Sequence, residues 1–231
     1  MLHRKKAVAL VVGLFLSVST LWAGDVAVFV DLGFSPDGRT FMFGQYGVQS
    51  RTIKPWAELF IVDVQRNNFV SGGRFSYVHD RPVVSGQDGS GALNLLIAQS
   101  APLAQTHRIN YSFQGQPLFI SLCGSNHTEA VEFRNFSTGA FYRALLIPTV
   151  EGSGESLRSS FFINLEKTTR DGSRQNFTLG TPALKRPLVS SYRIQKVLIA
   201  PNASSMIFVI EMRVQDGRST NIRYMVEAIK F

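Results

Sequence analysis

A ten-residue outline recurs along the chain, and it limits the possible folds more than any other feature. Residues 34–43 read FSPDGRTFMF, a tight turn feeding an apolar strand. Residues 111–120 (YSFQGQPLFI) and 199–208 (IAPNASSMIF) repeat the outline. In the first copy Pro36 presets φ, and Gly38 tolerates the backbone that closes the turn. Around these copies run short apolar, β-branched and aromatic stretches separated by Gly, Pro, Asn and Asp, which is the pattern of strands. It predicts strands over 26–32, 40–46, 57–64, 107–113, 118–123, 130–136, 141–150, 158–165, 175–179, 192–199, 205–214 and 222–231. Residues 71–92 read as looser, and 92–103 predict the one helix, on a poor apolar stripe. Two strands carry finer information. Val131, Phe133 and Asn135 alternate with Glu132, Arg134 and Phe136, so one set faces inward. Met206, Phe208 and Ile210 share a face, with Ile207 and Val209 on the other, which predicts burial between layers.

The three copies begin 77 and 88 residues apart. Halved, these spacings are about 38 and 44, the length of a four-stranded propeller blade. Such a sheet cannot bury both faces alone, and stacking around an axis solves that problem. Residues 32–64, with the F-S-P-D-G turn, a strand, a loop and the strand LFIVDV at 59–64, resemble a TolB-like or WD40-like β-propeller repeat. Residues 197–229 resemble it in outline, and 111–123 more briefly. The resemblance implies an all-β, β-propeller-like domain of about five short blades. A β-sandwich, or two small β domains meeting near residues 180–190, are the alternatives. The segments WAGD at 22–25, LGFSPDGR at 32–39 and FGQYG at 43–47 are also similar to a family of predicted secreted proteins from spirochaetes. That likeness implies export into the periplasm of a diderm bacterium and supplies no site.

The first 23 residues read as a signal peptide. His3, Arg4, Lys5 and Lys6 form a basic head, residues 7–18 are apolar, and Ala23 precedes the expected cut. The apolar stretch is too short for an expected span, so no retained transmembrane segment is predicted. Residues 24–231 then form the all-β repeat-like domain, 208 residues long, enough for a sizeable core. Its balance of 21 Lys/Arg against 16 Asp/Glu is mildly positive. The basic residues are scattered, which argues against nucleic acid and leaves anionic lipid or glycan as possible partners. Cys123 is the sole cysteine, so no internal disulfide forms. Asn126, Asn135, Asn176 and Asn202 head N-X-S/T sequons, which matter only in a host that glycosylates them.

No constellation identifies a catalytic, cofactor or metal site. Asp37 fits local bonding inside its turn. Glu58 and Asp63 point to opposite faces of one strand. His79 stands beside Asp80, His107 beside Arg108, and His127 two residues from Glu129, none with the ligand number of a zinc site. Cys123 and His127 form a weak thiol–base pair. No G-x-S-x-G elbow occurs, and the glycines of residues 86–91 lack the Lys and β–α unit of a phosphate loop. Trp56, beside Arg51 and Lys54, fits either an interface or packing onto its own sheet. The expectation is a non-catalytic exported protein, a periplasmic binding or scaffold module acting through propeller loops on another envelope or periplasmic protein. The alternatives are a secreted hydrolase with an unrecognised site and a structural cell-envelope protein.

Overall fold

A computed structural model describes residues 24–122, 130–217 and 219–231. The expected signal peptide lies outside the described residues. Strands β1 (Val28–Phe34), β2 (Thr40–Val48), β3 (Pro55–Asp63) and β4 (Asn68–Val78) form an antiparallel meander, sheet I. A 17-residue helix, α1 (Ser90–Thr106), follows. Strand β5 (Gln116–Ile120) joins β11 (Val189–Ile199), β12 (Ser205–Asp216) and β13 (Ser219–Lys230) in sheet II, with the order β13-β12-β11-β5. Sheet III is built from β6 (Val131–Arg134), β7 (Phe141–Glu151), β8 (Arg158–Thr168), β9 (Arg174–Leu179) and the two-residue β10 (Arg186–Pro187). In it β8 pairs with β7 on one side and with both β9 and β10.

The sheets are layered, with sheet II in the middle. One face of sheet I (Leu32, Met42, Leu59, Ile61) packs on Leu93 and Leu96 of α1. Its other face (Phe34, Phe41, Phe43, Val62) meets Leu198, Ile207 and Val209 of sheet II. The far face of sheet II (Val197, Met206, Phe208, Ile210) meets Phe133, Tyr142, Phe161 and Ile163 of sheet III. Strand β12 is thus buried on both sides, as its doubly apolar sequence predicts. In β6 and the turn after it the alternation also holds: Val131, Phe133 and Asn135 are buried, while Phe136 is 89% exposed. Gly44 of β2 lets α1 approach, since a Cβ there would lie 2.5 Å from Leu93 Cδ1.

The propeller expectation fails. Among the described residues there are three separate open sheets, no ring and no set of five blades. Open sheets agree better with the alternative of small β domains than with a closed propeller. The recurring outline nevertheless has a spatial meaning. Copies one and three are the β1–β2 and β11–β12 hairpins, and their turns touch. Asn202 Nδ2 donates to Pro36 O (2.9 Å), Ser205 Oγ to Gly38 O (2.7 Å), and Lys230 Nζ to Asp37 O (2.9 Å). The middle copy makes no hairpin. It crosses β1 instead, with Phe34 N donating to Phe113 O and Asn110 N to Phe34 O.

Other differences are local. Residues 107–113 form turns and an isolated bridge between Asn110 and Phe34, not a strand. The segment read as loose contains the second half of β4, and the helix is longer than its apolar residues suggest. Residues 180–190, expected as a linker, include β10 and lead straight into β11.

Candidate functional site

Beyond its apolar contacts, the face between sheets I and II is joined by buried and half-buried polar side chains along β13. Gln45 of β2, 2% exposed, accepts from Tyr224 N through Oε1 (2.8 Å) and donates through Nε2 to Glu58 (2.7 Å). Asp25 accepts from Ser50 N (2.6 Å) and from Arg223 Nη2 (3.1 Å), and the Arg223 guanidinium lies 4.0 Å from the centre of the Trp56 ring. On β1, Asp31 accepts from Gly33 N (2.8 Å) and Gly115 N (2.7 Å). Burial pushes the Asp31 carboxyl above its ordinary value despite these two bonds.

The most concentrated of these groups lies where the three sheets converge. The β3–β4 turn places Asn67 at φ 48°, a left-handed conformation that Asn tolerates better than most residues. From there Asn67 Oδ1 accepts from Ala228 N (2.7 Å), and Nδ2 donates to the carboxylate of Glu227. Glu227 is 4% exposed on β13. Its other oxygen stands 3.9 Å from Nη2 of Arg186, which β10 carries in from sheet III. The guanidinium of Arg186 also lies 5.2 Å from the Phe161 ring centre, and its buried Nη1 has no hydrogen-bond partner. Burial raises the Glu227 carboxyl above its ordinary value, opposed by the Asn67 bond and the Arg186 charge. A cleft of about 250 Å³ opens here, with Val62, Phe69, Leu184, Met225 and Val226 as apolar walls and Arg66, Asn67, Arg186 and Glu227 as its principal polar groups. Glu227 is the one carboxylate among the lining residues. The arrangement suits binding of a group that gives Arg186 an acceptor.

The residues singled out from sequence fall elsewhere. Asp37 accepts from Ser35 Oγ (2.7 Å) and Arg39 N (3.1 Å) within its own turn. Glu58 pairs with Gln45, and Asp63 accepts from Arg66 N (3.0 Å). His107 and Asp63 share the wall of an open groove of about 550 Å³, while His79 lines a separate one of about 520 Å³ with Asp88. His79 Nδ1 accepts from Arg81 N (3.0 Å) and lies 3.2 Å from Asp80. Cys123, His127 and Glu129 lie outside the described residues. Trp56 is only 5% exposed, which removes it as an interface residue, and Arg51 pairs with Asp216 at 3.5 Å. Of the sequons, Asn135 is buried and accepts from Ser137 N, whereas Asn176 is exposed. Arg186, Glu227 and Asn67 escaped the sequence reading. The available signal was Glu227 itself, a charge inside the apolar run YMVEAI, because a buried Glu requires partners.

Among the described residues no three His, Cys, Asp or Glu side chains are placed to hold a metal ion, and no helix is long and apolar enough to cross a membrane. No curated protein and no solved structure shows significant similarity to the chain. Residues 42–230 match the profile of a family described as "Predicted secreted protein (DUF2259)". The match supports secretion without separating periplasm from the extracellular space. It carries neither the TolB-like or WD40-like identity nor the restriction to spirochaetes that the short segments implied. Spanning most of the sequence, it shows that the chain belongs to the DUF2259 family of predicted secreted proteins.

Proposed function

We propose that this exported protein is a non-catalytic structural module of the cell envelope, working in the periplasm against another envelope or periplasmic protein. The observation that supports this reading is the assignment of its buried and half-buried polar groups. Gln45, Asn67, Asp25 and Arg223 fasten one layer to the next instead of converging on a reactive centre. Buried polar networks whose members are satisfied rigidify a fold, which suits a part that holds position.

Fractionation of cells producing a C-terminally tagged chain tests the proposal. After osmotic shock the protein should remain with the envelope fraction and crosslink to a discrete partner. Full release as an uncrosslinked monomer overturns the structural role. Turnover of ester, peptide or glycoside substrates that a cleft substitution abolishes overturns the non-catalytic one and favours a secreted hydrolase.

A further inference from the structure

The cleft at the meeting of the three sheets has a chemistry that a purely structural role leaves unused. Arg186 is largely buried, with 18% of its side chain exposed, yet its Nη1 has no acceptor. Its ionic partner Glu227 stands off at 3.9 Å and takes its hydrogen bond from Asn67 instead. A buried guanidinium N–H without an acceptor is costly, and a planar carboxylate matches the guanidinium edge best. Around this pair the wall carries Arg66, Asn68 and Thr181 together with a set of apolar side chains. Phe69 and Leu184 remain 38% and 55% exposed at this cleft, and Met225 and Val226 line it further. The cleft's volume is about 250 Å³, at the small end for a ligand pocket. An opening of this size admits a small group rather than a polysaccharide, and the apolar side chains beside Arg186 favour an anion that carries an apolar stem.

We propose that the cleft binds an organic carboxylate carried on a short apolar stem. The carboxylate gives Arg186 Nη1 its missing acceptor, and the stem lies against Phe69, Leu184 and Met225. Glu227 is then a built-in competitor, the same chemical group held beside the same guanidinium. A free short-chain acid and the C-terminus of a polypeptide ending in an apolar residue share this chemistry.

Calorimetric titration of the full exported chain with four probes decides the matter: hexanoate, N-acetyl-leucine, N-acetyl-leucinamide and inorganic phosphate. Hexanoate and N-acetyl-leucine should bind saturably, and the amide and phosphate should not. Arg186→Gln should weaken binding by roughly tenfold or more, the loss of one charge-assisted contact. Glu227→Gln should strengthen it by removing the competing carboxylate. Leu184→Trp, at an exposed wall position away from the ion pair, should block binding without changing the denaturation midpoint, so the test survives if Arg186→Gln fails to fold. A pentapeptide with C-terminal leucine that binds more tightly than N-acetyl-leucine assigns the site to chain termini. Equal or weaker binding assigns it to small free acids. Equal binding of acid and amide, no saturable binding, or binding indifferent to Leu184→Trp overturns the proposal. Envelope fractionation reads the structural role separately, so either idea can fail while the other stands.

Discussion

The two faces of sheet II are packed by different means. Toward sheet III the contact is dominated by large apolar groups: Phe208, Met206 and Ile210 against Phe133, Phe161 and Ile163, with Tyr192 bonding to Ser159 at its border. Toward sheet I the apolar contact is accompanied by Gln45, Asn67, Asp25 and the touching turns around Pro36 and Asn202. Apolar burial is strong and non-directional. Hydrogen bonds to Tyr224 N and Ala228 N of β13 are weaker but specify how far one sheet may slide on the other. The first face therefore supplies adhesion, and the second supplies alignment.

That contrast predicts a graded series. Phe208→Ala empties a fully buried position on the adhesive face and should cost about 3–5 kcal/mol in urea unfolding. Gln45→Ala, on the aligning face, should cost about 1–3 kcal/mol, because it strips partners from Tyr224 N and Glu58. Hydrogen exchange should accelerate at Tyr224 more than global stability explains, and an unchanged rate there would break the division of roles. Asn202→Ala should cost only about 0.5–1.5 kcal/mol, since it loosens one exposed contact between turns. The shallowest effect is a pH slope. Asp31 and Glu227 are both raised by burial from ordinary values of 3.8 and 4.5. Their folded forms hold protons that the unfolded chain has released. The stabilisation is complete below those ordinary values and is lost as pH rises through the raised ones. Asp37, lowered chiefly by its bond from Ser35, has the opposite sign: its contribution is present above 3.8 and is lost in acid. Glu227→Gln should flatten the descending slope above the ordinary carboxyl value of 4.5, and a slope unchanged by it would assign the effect elsewhere.

Local structure was legible wherever one face of an element is dry. The alternation in β6 and the double apolar pattern of β12 follow directly from which side of a strand meets which layer. The helix was harder to read because its buried stripe includes Ser100 and Ala104, small residues that carry little apolar signal. The recurring outline was read correctly as turn plus strand in two copies and wrongly as a ring. A turn's residues encode how a hairpin reverses, and they say nothing of whether neighbouring sheets stack in a line or around an axis. The cleft was least legible. Arg186 sits in a stretch with linker composition, Asn67 in an ordinary turn, and Glu227 in a strand, so only folding reveals them as neighbours. Secretion was legible in the basic head and apolar run, and the family match supports it independently.

The side-chain amides along β13 have one more consequence. A strand at the border of a sheet normally offers a row of free N–H and C=O groups, a template on which another chain can grow. Here Tyr224 N and Ala228 N already donate to Gln45 and Asn67, and Ile222 exchanges backbone bonds with Asp25 and Ala27. These positions are closed to strand addition without recruiting another strand. In a member of a predicted secreted family, these bonds cover part of that border against the addition of another chain.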